Sequence, residues 1–147
     1  MQIDILYPEL EAERRILLET TGVEDAKAHN VLTPDRLREI QNLIRRMPVP
    51  ESVVDAILKL VRSARPGQGS ADTDKHVAWG PGPRASQALT LCARARALYE
   101  GRLAPSVDDV HALAEPVLQH RMALTFAARA EGMHVRDVIA RLVKAAG

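Results

Sequence analysis

Apolar residues recur every three or four positions along most of the chain, which predicts amphipathic helices. Capping residues and prolines separate these stretches: Thr33 and Pro34 begin one helix, and Ser106 with Asp109 three residues later resembles a capping box that begins another. Pro116 is expected to bend or end the latter helix. The predicted helices cover residues 9–20, 34–47, 50–64, 83–99, 106–116 and 135–146.

The same spacing identifies the helix faces that should be buried. The residues expected to pack inward are Leu10, Ile16, Leu17, Leu37, Ile40, Leu43, Ile44, Val53, Val54, Ile57, Leu58, Val61, Leu89, Ala93, Ala97, Val110, Leu113 and Ala114. Residues 76–79 and 121–126 each resemble a short strand and could pair, whereas the Gly-, Ser- and Asp-rich residues 65–75 predict a mobile surface loop. The predicted fold class is therefore mainly α, a helical bundle of about five to six helices with at most a minor short β-ribbon.

The first residues of the chain follow a different period from the rest. Ile3, Ile5 and Tyr7 alternate with polar neighbours, as in a strand, and Pro8 then suits entry to a helix. A strand needs a sheet, and nothing nearby predicts one. We therefore expect residues 1–7 to be the remnant of the last strand of a missing domain, and residues 8–147 to form the helical domain.

Composition excludes several classes of function. Twenty basic and nineteen acidic side chains give a net charge of +1, so charge alone favours neither nucleic acid nor an anionic membrane. Only 3% of residues are aromatic, and no apolar run approaches the roughly 20 residues of a membrane span. The single cysteine, Cys92, excludes an internal disulfide; it is expected to be a small buried hydrophobe of a cytoplasmic protein.

The sequence contains no motif for a catalytic centre. No Gly-x-x-x-x-Gly-Lys-Ser/Thr loop is present to hold phosphates, so this chain alone is not expected to hydrolyse a nucleotide. The five histidines and one cysteine show no zinc-ligand spacing, and no metal site is predicted. Asp108 and Asp109 are sufficiently explained by their place in the first turn of a helix, where acidic side chains are favourable.

The most informative segment is Gly80 to Arg84, which reads Gly-Pro-Gly-Pro-Arg before an alanine-rich helix. Pro83 suits the first helical position and Gly82 the cap before it. The free N–H groups of a helix start carry about half a positive charge, so Arg84 beside them could hold phosphate oxygens. An ordinary helix start with a solvated arginine explains the same residues. A free-standing helical module that binds a partner helix is the alternative function.

Four segments together resemble the C-terminal part of MoxR-family AAA+ ATPases. They are residues 2–8, 11–17, 80–86 and 117–121, and the similarity in their order and spacing extends over nearly the whole chain. The segment from Pro83 to Ala97 is the most specific, and the His120–Arg121 pair also agrees. The resemblance departs from the family at Gly82, where serine is usual, and at Pro81, where a small residue is usual.

The resemblance implies that residues 1–7 end an AAA+ core and that the remainder is its helical lid. Arg84 would be the sensor-2 arginine, which reaches the terminal phosphate of ATP bound with Mg²⁺ in the core; this chain would bind neither tightly. The family forms rings, commonly hexamers, with a chaperone-like or metal-insertion role, often together with a protein that has a von Willebrand factor A domain. Without a hydroxyl at Gly82, the helix start would be looser and Arg84 less sharply aimed.

Overall fold

The computed structural model describes residues 1–22 and 28–146. Within them the chain forms eight α-helices, a 3-10 turn at Gln119–Arg121 and a two-stranded antiparallel sheet. The helices are α1 (Leu10–Thr20), α2 (Pro34–Arg46), α3 (Glu51–Ser63), α4 (Ala71–His76), α5 (Pro83–Tyr99), α6 (Val107–Leu118), α7 (Phe126–Ala130) and α8 (Val135–Ala146). The strands are β1 (Val77–Trp79) and β2 (Ala123–Leu124). The mainly helical fold with a minor ribbon is confirmed.

One hydrophobic core lies between α3, α5, α6 and α8. Leu60, Leu89, Leu118 and Ile139 are its largest fully buried side chains, one from each helix. The buried face of α5 otherwise consists of alanines, which allow close packing because they have no bulk beyond Cβ. One face of the long helix that carries Arg84 is therefore buried along its length, and its first half packs into the core.

Some of the helix faces that were predicted to be buried are buried in the structure, and others are exposed. Val53, Ile57 and Val61 are buried as expected, but Leu60, which the spacing did not select, is buried as well. The expected core residues that prove exposed are Leu10, Ile16, Leu17, Leu37, Leu43, Val54 and Leu58. The spacing correctly indicates which face of a helix is apolar, but other parts of the fold decide whether anything covers that face.

Two short helices were not predicted from the sequence. Residues 65–75 were expected to be a loop, but Ala71–His76 form α4 because the Ser70 hydroxyl accepts from the Thr73 N–H (3.4 Å) and buried Thr73 donates to the Ser63 carbonyl (2.9 Å). The second expected strand stops at Leu124 instead of Phe126. Thr125 then caps α7, since its hydroxyl accepts from the Ala128 N–H (3.3 Å).

The β-ribbon and its pairing are confirmed, although both strands are shorter than the predicted residues 76–79 and 121–126. Val77 pairs with Leu124 and Trp79 with Ala123 in an antiparallel ladder that has an irregularity between them. Pro116, by contrast, neither ends nor interrupts α6, which continues to Leu118. Val117 and Leu118 are both fully buried, so the packing of these two side chains offsets the backbone cost of the proline.

Residues 1–9 form no helix or strand in this structure. Ile3, Ile5 and Tyr7, whose alternation predicts a strand, are all exposed. The segment instead lies against the end of α6, where the Gln2 N–H donates to the Pro116 carbonyl (2.6 Å). No helix in the part of the chain that the structure describes combines the length and apolar character needed to cross a bilayer.

Candidate functional site

The approach to α5 is fixed by close packing against the end of α3. A Cβ placed on Gly80 would lie 2.8 Å from the Arg65 Cα and closer still to the Ala64 carbonyl oxygen, so only glycine fits without a shift of the backbone. Arg65 donates from Nε to the carbonyl of buried Pro81 (2.8 Å). These contacts determine where β1 ends and α5 begins.

The first turn of α5 begins as the sequence predicts. Gly82 occupies the N-cap position in an extended conformation (φ −83°), and Pro83 is the first helical residue. The Ala85 N–H donates to the Gly82 carbonyl (2.9 Å), but no side chain caps the helix. Arg84 is exposed at the surface of this first turn.

We expect Gly82→Ser to stabilise the helix start. Gly82 has a backbone conformation open to any residue, and an added Cβ would meet nothing within 4 Å. A serine hydroxyl could accept from a free N–H of the first turn, which should raise the free energy of unfolding by about 0.3 kcal/mol. Thermal melting should therefore show a small rise for Gly82→Ser but none for the control Gly82→Ala; equal melting temperatures would contradict the capping argument.

An open pocket of about 420 Å³ lies beside this helix start. Arg84 lines it together with His120 and Arg121, which come from the turn after α6. The other lining residues are Trp79, Gly80, Gly82 and Pro83. The sequence placed Gly82, Pro83 and Arg84 together, but it gave no indication that His120 and Arg121 would join them, because only the tertiary fold brings the end of α6 to the start of α5.

The electrostatics of the pocket favour an anion. Its lining includes two arginines and no carboxylate. His120 keeps an exposed surface, yet the loss of part of its hydration lowers its pKa, and the positive charge of Arg121 lowers it further. The imidazole is therefore neutral at pH 7, and the charge of the site comes from the guanidinium groups of Arg84 and Arg121.

Other candidate chemistry in the chain is not assembled into a site. Among residues 1–22 and 28–146, no group of three or more His, Cys, Asp or Glu side chains is placed to hold a metal ion. Cys92 is half-buried and packs against the core, rather than fully buried as the sequence suggested. Asp109 is buried in an ion pair with Arg102, whereas Asp108 is exposed.

Comparisons with known proteins agree with this fold. Residues 70–142, which include α4 to α7, most of α8 and the pocket, match the AAA lid domain family. The chain is 33% identical over 145 residues to Chaperone MoxR1 of Mycobacterium tuberculosis, a match that covers 97% of this chain. It therefore belongs to the MoxR family of AAA+ proteins and carries the lid domain of that family.

A solved structure supports the fold. The crystal structure of a candidate ATPase from Cytophaga hutchinsonii superposes with a TM-score of 0.86 at 24% identity and covers 98% of this chain. The chain spans only 38% of the length of Chaperone MoxR1 and 44% of the Cytophaga chain.

Proposed function

We propose that this chain acts as the lid of a MoxR-type AAA+ ATPase and that Arg84 is its sensor-2 arginine. In this function Arg84 contacts the terminal phosphate of ATP held by an AAA+ core. The observation that carries the proposal is the exposed guanidinium of Arg84 at the uncapped start of α5, in a pocket without a carboxylate. The free N–H groups of the helix start and the guanidinium would both favour phosphate oxygens.

The physical role of such an arginine is to couple nucleotide state to the angle of the lid. Because one face of α5 is buried along its length and its first half packs into the core, a pull on Arg84 acts on the helical domain and not on a loose loop. A charge-assisted hydrogen bond contributes roughly 1.5 to 3 kcal/mol, which is enough to bias a hinge strongly toward the closed arrangement. Hydrolysis and phosphate release would remove the partner of Arg84 and the bias with it.

The pocket residues fit ATP phosphates but not a magnesium ion. Mg²⁺ prefers oxygen ligands such as carboxylates, and none lines this pocket. The metal ligands and the catalytic groups would therefore belong to the core, so this chain by itself would not be catalytic. As parts of the same proposal, the complete protein would form a ring, commonly a hexamer, in the cytoplasm. It would act in a chaperone-like or metal-insertion role, with a von Willebrand factor A domain protein as a possible partner.

A free-standing helical interaction module is the second candidate. The exposed apolar side chains around α1, such as Leu6, Tyr7 and Leu10, favour contact with another protein surface. An AAA+ core would cover these side chains equally well, so their exposure does not separate the two functions. Only the first function requires Arg84, which makes this residue the object of the test.

We expect Arg84→Ala to lower ATP turnover about tenfold when the lid is assembled with its AAA+ core, because one charge-assisted phosphate contact is lost. The side chain is exposed, so the melting temperature should not change. Arg46→Ala is the matched control, since Arg46 is also exposed on a helix but does not line the pocket. Unchanged turnover in Arg84→Ala would contradict the sensor assignment and favour the interaction module.

A further inference from the structure

Arg121 is the least explained side chain of the pocket. It ends the 3-10 turn after α6, between two anchored neighbours: Leu118 is fully buried on one side and Met122 is nearly so on the other. The backbone around Arg121 therefore has little freedom. Because its side chain is half-buried, the guanidinium is also confined, in contrast to the exposed side chain of Arg84.

The guanidinium of Arg121 lacks the partners that a confined charge normally has. Its Nε atom is buried, and it makes no hydrogen bond to any residue that the structure describes. No carboxylate in residues 1–22 or 28–146 forms an ion pair with it either. A buried donor that is left unpaired costs stability, so the Nε of Arg121 calls for a partner that the described residues do not supply, such as water or a bound ligand.

The position of Arg121 favours a bound ligand as this partner. It lines the pocket of about 420 Å³ that Arg84 also lines, and this volume lies within the roughly 300–1,000 Å³ of small-ligand sites. Arginine presents a planar set of donors that matches the oxygens of phosphate groups. Two guanidinium groups from separate parts of the chain thus face one space that contains no negative charge.

We infer that Arg121 is a second phosphate-binding arginine, which shares the terminal phosphates of a nucleoside triphosphate with Arg84. The inference rests on the proposed function, since it assigns a further residue to the same ligand. Arg84 extends from an uncapped helix start, whereas Arg121 is held by the packing of α6. Arg121 therefore fixes the position of the phosphates, and Arg84 responds to their presence.

The properties of the neighbouring His120 are consistent with these separate roles of Arg121 and Arg84. Its imidazole is uncharged at neutral pH, because partial loss of hydration and nearby positive charge lower its pKa. A neutral imidazole has one N–H donor and adds no repulsion to the two guanidinium groups. The positive charge of the pocket therefore lies on the two arginines. The test replaces each of them in turn.

The test measures binding of inorganic tripolyphosphate to the purified chain by NMR titration of the ¹⁵N-labelled protein at low ionic strength. We expect Arg121→Gln to weaken binding about tenfold or more, as the loss of one charge-assisted contact predicts. Arg84→Gln should have an effect of similar size. Arg46→Gln, which removes the same charge from the exposed end of α2, should leave the dissociation constant within about twofold of the wild type, since a distant exposed charge is largely screened.

A second variant separates ligand binding from a structural role. Arg121→Lys keeps the charge but loses the planar donor set, so its binding should lie between that of the wild type and that of Arg121→Gln. Because the Nε of Arg121 has no hydrogen-bond partner and its guanidinium forms no ion pair among the described residues, neither variant should lower the melting temperature of the unliganded chain. A marked fall in melting temperature with unchanged tripolyphosphate binding would show that the role is structural.

The outcomes also distinguish this inference from the proposed function. Normal binding in Arg121→Gln with weakened binding in Arg84→Gln would overturn the inference and leave the sensor assignment intact. The reverse result would support Arg121 and contradict the role of Arg84. If the wild-type chain does not bind tripolyphosphate at millimolar concentrations, or if Arg46→Gln weakens binding as much as Arg121→Gln, the two-arginine site is wrong.

Discussion

Replacing Asp109 with asparagine should lower the free energy of unfolding by about 2–3 kcal/mol, through loss of a buried ion pair and of a helix cap together. The Asp109 carboxylate, 1% exposed, accepts two hydrogen bonds from Arg102 (2.6 and 2.8 Å). It also accepts from the Ser106 N–H (2.7 Å), which completes the capping box that the sequence predicts. An asparagine side chain cannot accept all of these bonds, because one of its two terminal atoms is a donor. Urea denaturation at pH 7 measures the loss.

The effect should also depend on pH. Hydrogen bonding from Arg102 holds the pKa of Asp109 below its usual range, and the Ser106 N–H acts in the same direction. The ionised carboxylate therefore contributes its full stabilisation above the unfolded-state pKa of about 3.9, and this contribution is lost as the pH falls through the lower folded-state value. The stability difference between wild type and Asp109→Asn should narrow below about pH 4.

Asp108 provides the matched control for this prediction. It precedes Asp109 in the same first turn of α6 but is exposed. Asp108→Asn should cost no more than about 1 kcal/mol, the usual upper limit for an exposed charge at a helix start. Equal losses in the two variants would mean that helix polarity, and not the pair with Arg102, accounts for the role of Asp109.

Replacing Gly80 with alanine should have a comparable effect, about 2–3 kcal/mol, because the added methyl group overlaps backbone atoms. The Ala64 carbonyl oxygen and the Arg65 Cα both lie within 3 Å of the position that the Cβ would take. Neither can move easily, since Ala64 is fully buried. Equilibrium unfolding measures the loss, and NMR shifts at Arg84 should report the displaced start of α5.

Gly82→Ala is the matched control for Gly80→Ala, because it makes the same chemical change two residues later. An added Cβ at Gly82 meets no atom within 4 Å, so its cost should stay below about 1 kcal/mol, the usual difference between glycine and alanine at an N-cap. If both variants lose the same stability, the close approach of Gly80 to the end of α3 does not explain the effect of Gly80→Ala.

The parts of the fold that depend on local chemistry could be predicted from the sequence. Thr33 and Pro34 begin α2, Pro83 begins α5, and α8 occupies the predicted residues 135–146. Each of these boundaries follows from a cap, a proline or an apolar period within a few residues. The helix start that carries Arg84 was predictable for the same reason.

Features that depend on distant contacts could not be predicted in this way. Thr73 is buried in α4 because it reaches the Ser63 carbonyl, a partner ten residues earlier. Arg102 is the partner of Asp109, but the sequence indicated only the capping role of that acid. The prediction for Leu10 was wrong in the other direction. Leu10 lies on the apolar face of its helix and was expected to be buried, but nothing in the described structure covers it.

The sequence by itself determined a mainly helical protein with Arg84 at the start of its longest helix, because glycine, proline and apolar spacing act within a few residues of where they stand. Only the tertiary structure decided that Arg121 lies in the same pocket as Arg84. Thirty-seven positions separate the two arginines along the chain. Their meeting results from the packing of α6 against α5, which no local pattern of residues encodes.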